Sequence, residues 1–155
     1  MLEANSSAPA FSAVDQNNNT VSLSDFSNTK NIVLYFYPKD DTPGCTIEAN
    51  QFTALKNEFD QADTVILGVS KDNVESHCDF IGKYDLQISL LADIDGKLCE
   101  DYGVWQEKEK NGVKKMGIVR STFIINKSGT LSSIEYGVNA EGHAQKVLSF
   151  IKNKL

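Results

Sequence analysis

Asn31-Ile32-Val33-Leu34-Tyr35-Phe36-Tyr37-Pro38-Lys39-Asp40-Asp41-Thr42-Pro43-Gly44-Cys45-Thr46 is the stretch whose reading decides the fold. Asn31–Tyr37 is a continuous apolar, β-branched and aromatic run, the pattern of a central strand covered on both faces. Pro38, Thr42 and the Pro43-Gly44 pair break the chain. From Cys45 to Phe59, the residues Ile47, Phe52, Leu55 and Phe59 recur at helical spacings among charged residues, which predicts an amphipathic helix. Thr64–Val69 is a second buried-strand run, so the core pattern is strand, helix, strand, with right-handed crossovers.

Outward from there, Asn73–Tyr84 reads as a helix with Val74, Phe80 and Ile81 on one side. Ser121–Ile125 and Leu131–Tyr136 flank the turn Asn126-Lys127-Ser128-Gly129 and read as a hairpin. Gly142–Leu155 closes the chain with Val147, Leu148, Ile151 and Leu155 at helical spacing. Phe11–Asp15 and Thr20–Leu23 read as an added N-terminal hairpin. With no repeat, linker or low-complexity stretch, residues 1–155 form a single α/β domain, long enough to bury a full core.

Composition narrows the class. Apolar residues make 41% and charged residues 23%, the balance of an ordinary globular protein. A formal net charge of −6 argues against a nucleic-acid or anionic-membrane partner, which requires a basic face. The longest apolar run, Ile32–Tyr37, is too short to span a bilayer. Met1-Leu2-Glu3-Ala4-Asn5 has neither a basic nor an apolar leader region, which for a complete chain points to the cytoplasm. Cys45, Cys78 and Cys99 are odd in number and form no compact framework, so in a reducing compartment they are free, catalytic or buried. There is no Cys-x-x-Cys pair, and with only His77 and His143 beside them no metal site is expected.

The chemistry concentrates at Cys45. It lies where a buried strand gives way to a helix, the crevice in which open α/β sheets hold ligands. In the first turn of a helix, unpaired N–H groups and the positive end of the dipole favour the thiolate, the reactive form. Thr42 can offer a hydroxyl hydrogen bond to the sulfur or to a bound oxygen. A lone cysteine after a Pro-Gly turn can equally be a small buried residue.

Pro38-x-x-x-Thr42-x-x-Cys45 resembles the peroxiredoxin active-site signature, and Tyr35–Thr46 as a whole resembles the bacterioferritin comigratory protein (peroxiredoxin Q) subfamily. The likeness continues in order through Gly68–Asp72, Ser76-His77, Leu90–Asp93, Tyr102–Trp105 and Gly117–Ile125. It implies a thioredoxin-like fold, a central mixed sheet flanked by helices, and thiol-dependent reduction of hydrogen peroxide and organic hydroperoxides. It also implies a monomer recycled by thioredoxin or a similar dithiol donor, with no cofactor. By position Cys45 is the peroxidatic cysteine, Thr42 and Pro38 shape and shield the site, and Arg120 is the family's arginine. An arginine beside a thiolate favours its charged form, and its fixed N–H donors can hold peroxide oxygens. The bland alternative for Arg120 is a strand-borne surface charge.

One position departs from the pattern. Many subfamily members carry a resolving cysteine where this chain has Asn50; a variant carries it on the next helix, where this chain has Ile81. Cys78, one turn earlier, is the candidate resolver after local unwinding. Cys99 reads more as a packed helix residue, and an outside thiol is the third route. His77 and His143 read as surface or capping groups, Trp105 and Tyr35–Tyr37 as core, and Lys39-Asp40-Asp41 as a solvated loop. A redox sensor would use the same Cys45 stoichiometrically. A thioredoxin-like dithiol oxidoreductase is disfavoured because no second cysteine neighbours Cys45.

Overall fold

The computed structural model describes residues 2–155. In chain order the elements are β1 (Ser12–Val14), β2 (Thr20–Ser22), β3 (Asn31–Phe36), α1 (Pro43–Ala54), α2 (Lys56–Gln61), β4 (Thr64–Ser70), α3 (Val74–Tyr84), β5 (Ser89–Ala92), α4 (Lys97–Asp101), β6 (Trp105–Lys110), β7 (Val113–Ile118), β8 (Ser121–Ile125), β9 (Leu131–Tyr136) and α5 (His143–Lys154). Seven strands make one mixed sheet in the order β2-β1-β5-β4-β3-β8-β9. β3, β4 and β5 run parallel, whereas β8 is antiparallel to β3 and β9 to β8. The N-terminal hairpin joins the sheet through Val14 opposite Ala92.

Every residue of β3 is buried. Val33 and Tyr35, then Tyr37, enter one core layer with Phe52, Phe59, Phe80 and Leu148; Ile32, Leu34 and Phe36 enter the other with Leu98, Tyr102, Phe123 and Leu131. Successive side chains of a strand point to opposite faces, so a strand covered twice must be apolar throughout. Tyr35 stacks on Phe52 of α1 with ring centroids 4.8 Å apart, which packs the C-terminal half of α1 against β3.

The structure departs from the sequence reading in several places. The helix expected over Cys45–Phe59 begins at Pro43 behind the N-cap Thr42 and divides at Leu55, whose backbone (φ −101°, ψ 6°) leaves the helical range. The break lets Phe52 and Phe59 converge on one layer, their rings 5.9 Å apart. Ile47, counted in the apolar stripe, is 40% exposed, while Cys45, Glu48, Ala49 and Phe52 form the buried face. Finally, β6 and β7 form a separate two-stranded ribbon turning at Asn111-Gly112, both with positive φ, a turn pair suited to a tight hairpin. Its alternating Glu and Lys residues lie almost wholly in solvent, so no apolar period announces it.

Candidate active site

Cys45 occupies the first turn of α1 and is buried. Pro43 at the helix start has no N–H to lose and pre-sets the backbone. Thr42 gives no side-chain cap; its hydroxyl donates instead to the Lys39 carbonyl at 2.8 Å. The proton that Thr42 could have offered to the sulfur or to a bound oxygen is thus held in an intraloop bond. The N–H groups at the helix start keep their freedom to face an anion.

Arg120 lies on the link between β7 and β8, where its carbonyl accepts from the Val138 N–H at 2.9 Å. Its Nη2 donates to Cys45 Sγ at 3.4 Å and its Nη1 to Glu48 Oε1 at 2.7 Å. Arg120 is thus no strand-borne surface charge; its side chain is 16% exposed. A Cβ added at Gly44 would sit 3.0 Å from Nη2, so glycine there clears the approach of the guanidinium to the sulfur. Glu48, missed from sequence, is fully buried, and burial pushes its carboxyl up to about 7 against the opposing pull of Arg120. The available signal was its spacing: three residues beyond Cys45, it shares that helix face.

The loop before α1 is not solvated throughout. Asp40 is buried and accepts from Tyr37 Oη at 2.5 Å and from Ser76 Oγ at 2.8 Å. Its Oδ2 also lies 2.7 Å from His77 Nδ1, while His77 Nε2 meets the Leu91 carbonyl at 2.9 Å. A carbonyl only accepts, so Nε2 carries a proton. The Asp40 N–H donates to Asp72 Oδ2, which also accepts from Ser70 Oγ. Outside this cluster Asp41 accepts from Lys83 and Tyr84, which holds its carboxyl below the usual range. His77 is therefore a buried bolt between loop and α3, not a surface group. Asp40, Asp72 and His77 could converge on a cation geometrically, but protein donors already occupy them. His143 is buried too, facing Thr122 Oγ1 at 2.7 Å, and burial lowers its pKa.

The other candidates spread out. Pro38 and Asn50 are exposed. All three thiols are free; Cys78 is exposed on α3, and Cys99 is buried on α4. Cys99 belongs to the core layer with Tyr102 and Leu131, across the sheet from the layer that holds Cys45, and burial pushes its thiol far up. Trp105 is half-buried with Lys71 Nζ 4.2 Å over its ring, and Tyr35–Tyr37 are buried.

A buried thiol at a helix start thus faces one guanidinium. The AhpC/TSA family model matches residues 4–134. The chain belongs to this family. Peroxiredoxin Bcp of Bacillus subtilis is 42% identical over 152 residues, covering 98% of this chain and 96% of that one. Peroxiredoxin Bcp of Escherichia coli K12 is 36% identical over 151 residues, 97% and 96% of the two chains. A solved mutant of Xanthomonas campestris peroxiredoxin Q superposes with TM-score 0.91 at 35% identity, covering 98% of this chain and 100% of that one. This peroxiredoxin therefore has the thioredoxin-like fold, the mixed sheet with flanking helices, and is a thiol-dependent peroxidase. Its substrates are peroxides and its reductant a thiol. Among the described residues no helix is long and apolar enough to cross a membrane.

Proposed function

We propose that Cys45 is the peroxidatic nucleophile and that it reduces hydrogen peroxide and organic hydroperoxides. The observation that supports this most is Arg120 Nη2 at 3.4 Å from Cys45 Sγ, at the start of α1. Alkyl peroxide reduction is also the activity named for the Xanthomonas campestris bacterioferritin comigratory protein, whose solved structure has TM-score 0.90 to this chain. The thiolate lone pair attacks the terminal oxygen of R–O–O–H; the S–O bond forms and the O–O bond breaks. The electron pair leaves on the alkoxide, which takes a proton to become alcohol or water, and Cys45 is left as sulfenic acid. Arg120 and the N–H groups at the helix start stabilise the developing charge without reorganising. Thr42 has spent its hydroxyl proton on Lys39, so it offers lone pairs that accept the peroxide O–H. Pro38, exposed just beyond β3, fixes the backbone where the loop leaves that strand.

Asn50 cannot form a disulfide, so Cys78 is the resolving partner in this reading; Cys99, buried in the opposite layer, is disfavoured. A disulfide needs Cα atoms within about 7 Å. We expect bonding only after the first turn of α1, or α3, opens locally. The Asp40–His77 contact opposes that opening and so favours, as a second reading, a one-Cys cycle with an outside thiol. The enzyme is a monomeric single domain over residues 1–155, recycled by thioredoxin or a similar dithiol donor in the cytoplasm. Light scattering and steady-state assays with thioredoxin test those points.

Cys45→Ser should abolish peroxide turnover, while Cys78→Ser and Cys99→Ser keep the first oxidation. Substantial turnover in Cys45→Ser ends this reading, and merely stoichiometric peroxide consumption by the wild type makes the protein a sensor. Mass mapping without reductant after one equivalent of peroxide should find Cys45 bonded to Cys78. No such bond, with normal turnover of Cys78→Ser on thioredoxin, makes it a one-Cys enzyme.

A further inference from the structure

Two orphan atoms lie in the core layer behind Cys45. Among the described residues, Glu48 Oε2 and Tyr35 Oη are the buried side-chain polar atoms without a hydrogen-bond partner. A buried carboxylate with an unmatched oxygen is expensive, and such groups persist where their protonation state has a use. Glu48 has one cationic contact, Arg120, and that same guanidinium contacts Cys45. One guanidinium cannot match two anions in a site removed from water, so ionising either acid makes the other harder to ionise.

We propose that Glu48 is a positioning residue that shares Arg120 with Cys45, so that the site carries one anion at a time and Glu48 takes up a proton as Cys45 gives one up. The proposal rests on Cys45 being the nucleophile. In the exchange, the Cys45 thiol and the Glu48 carboxylate become the Cys45 thiolate and the Glu48 carboxylic acid, with total charge unchanged. Attack on the peroxide forms S–O, breaks O–O and turns the thiolate into neutral sulfenic acid. With the anion at Cys45 gone, Glu48 ionises again beside Arg120 and releases one proton. That proton matches the one the departing alkoxide takes up.

Tyr35, His143 and Arg120 are the titratable and charged groups set around the pair. Tyr35 faces the site from β3, and burial, then the charges of Glu48 and Cys45, push its phenol well above its ordinary value. His143 faces it from α5, and burial lowers it towards the neutral ring. Arg120, from the β7–β8 link, stays charged, raised by Glu48 and Cys45 despite its own burial. Glu48 itself, pushed up to about 7 by burial, can hold a proton in the neutral range.

Glu48→Gln keeps an acceptor for Nη1 and removes the competing charge. Single-turnover oxidation by hydrogen peroxide and ultraviolet thiolate absorbance are followed across the pH range spanning Glu48's titration, with Cys45→Ser in parallel. The acid limb of both profiles should move to lower pH by about one unit, a roughly tenfold faster reaction on the acid side. Profiles that superpose on the wild type, or move to higher pH, overturn the proposal. Retained thiolate signal and oxidation in Cys45→Ser would instead overturn the assignment of the nucleophile, so the two failures are distinct. Should Glu48→Gln not fold, infrared difference spectra of the wild type decide. A carboxylic-acid band lost as Cys45 is oxidised supports the exchange, and an unchanged carboxyl overturns it.

Discussion

Asp40 and Glu48 are both buried carboxylates, one in the loop before α1 and one on the inner face of that helix three residues beyond Cys45, and they are held differently. Asp40 has both oxygens engaged: Tyr37 on one, Ser76 and His77 on the other. Its own N–H is tied to Asp72. Glu48 has one oxygen on Arg120 and the other on nothing. A fully satisfied buried network rigidifies what it joins, whereas a half-satisfied one stores an electrostatic cost that protonation can relieve. The comparison teaches that one end of this segment is bolted to α3 and the other is left able to change its charge.

The comparison breaks most visibly at Asp40. Asp40→Ala leaves His77, Ser76 and Tyr37 facing a void, and losing one partner of a buried pair costs about 3–5 kcal/mol. Urea unfolding should show that loss, and hydrogen exchange should report faster opening of the loop and the start of α3. A loss under about 1 kcal/mol would show that the contact does not act as a bolt.

Glu48→Gln should have the opposite sign. The Glu48 carboxyl is raised from 4.5 to about 7, so between those values the folded protein holds a proton that the unfolded chain has released. The stability of the protonated form is fully present below 4.5 and is lost as pH rises through about 7. Relative to wild type, Glu48→Gln should therefore gain stability from about pH 5 to about pH 8, by on the order of 3 kcal/mol. Unfolding free energies measured at both ends check it; a parallel pH dependence would remove Glu48 as a titrating group.

Arg120→Ala sharpens the comparison at the shared cation. It should slow peroxide attack by roughly two orders of magnitude, about 2.7 kcal/mol. Arg120→Lys should recover little, because a point charge cannot donate to Glu48 and Cys45 at once with the same fork. Single-turnover rates decide it, and an unchanged rate in Arg120→Ala would remove Arg120 from the reaction.

What the sequence by itself determined is local. The apolar run of β3, the Thr42-Pro43-Gly44 helix start and the place of Cys45 in the first turn depend on neighbouring residues, and so were legible. The signature around Cys45 and the position of Arg120 were legible as a resemblance. Tertiary structure alone decided which charged residues go inside. A periodicity argument assigns Ile47 to the core and Glu48 to water, because it treats every charge as solvated. The fold reverses both, because Glu48 meets Arg120 from 72 positions away and Asp40 meets His77 from 37 away. Likewise, only the sheet puts Cys99 and Cys45 in different layers. Burying a charge is tolerable only where the chain returns a partner to it, and no local stretch of sequence carries that partner.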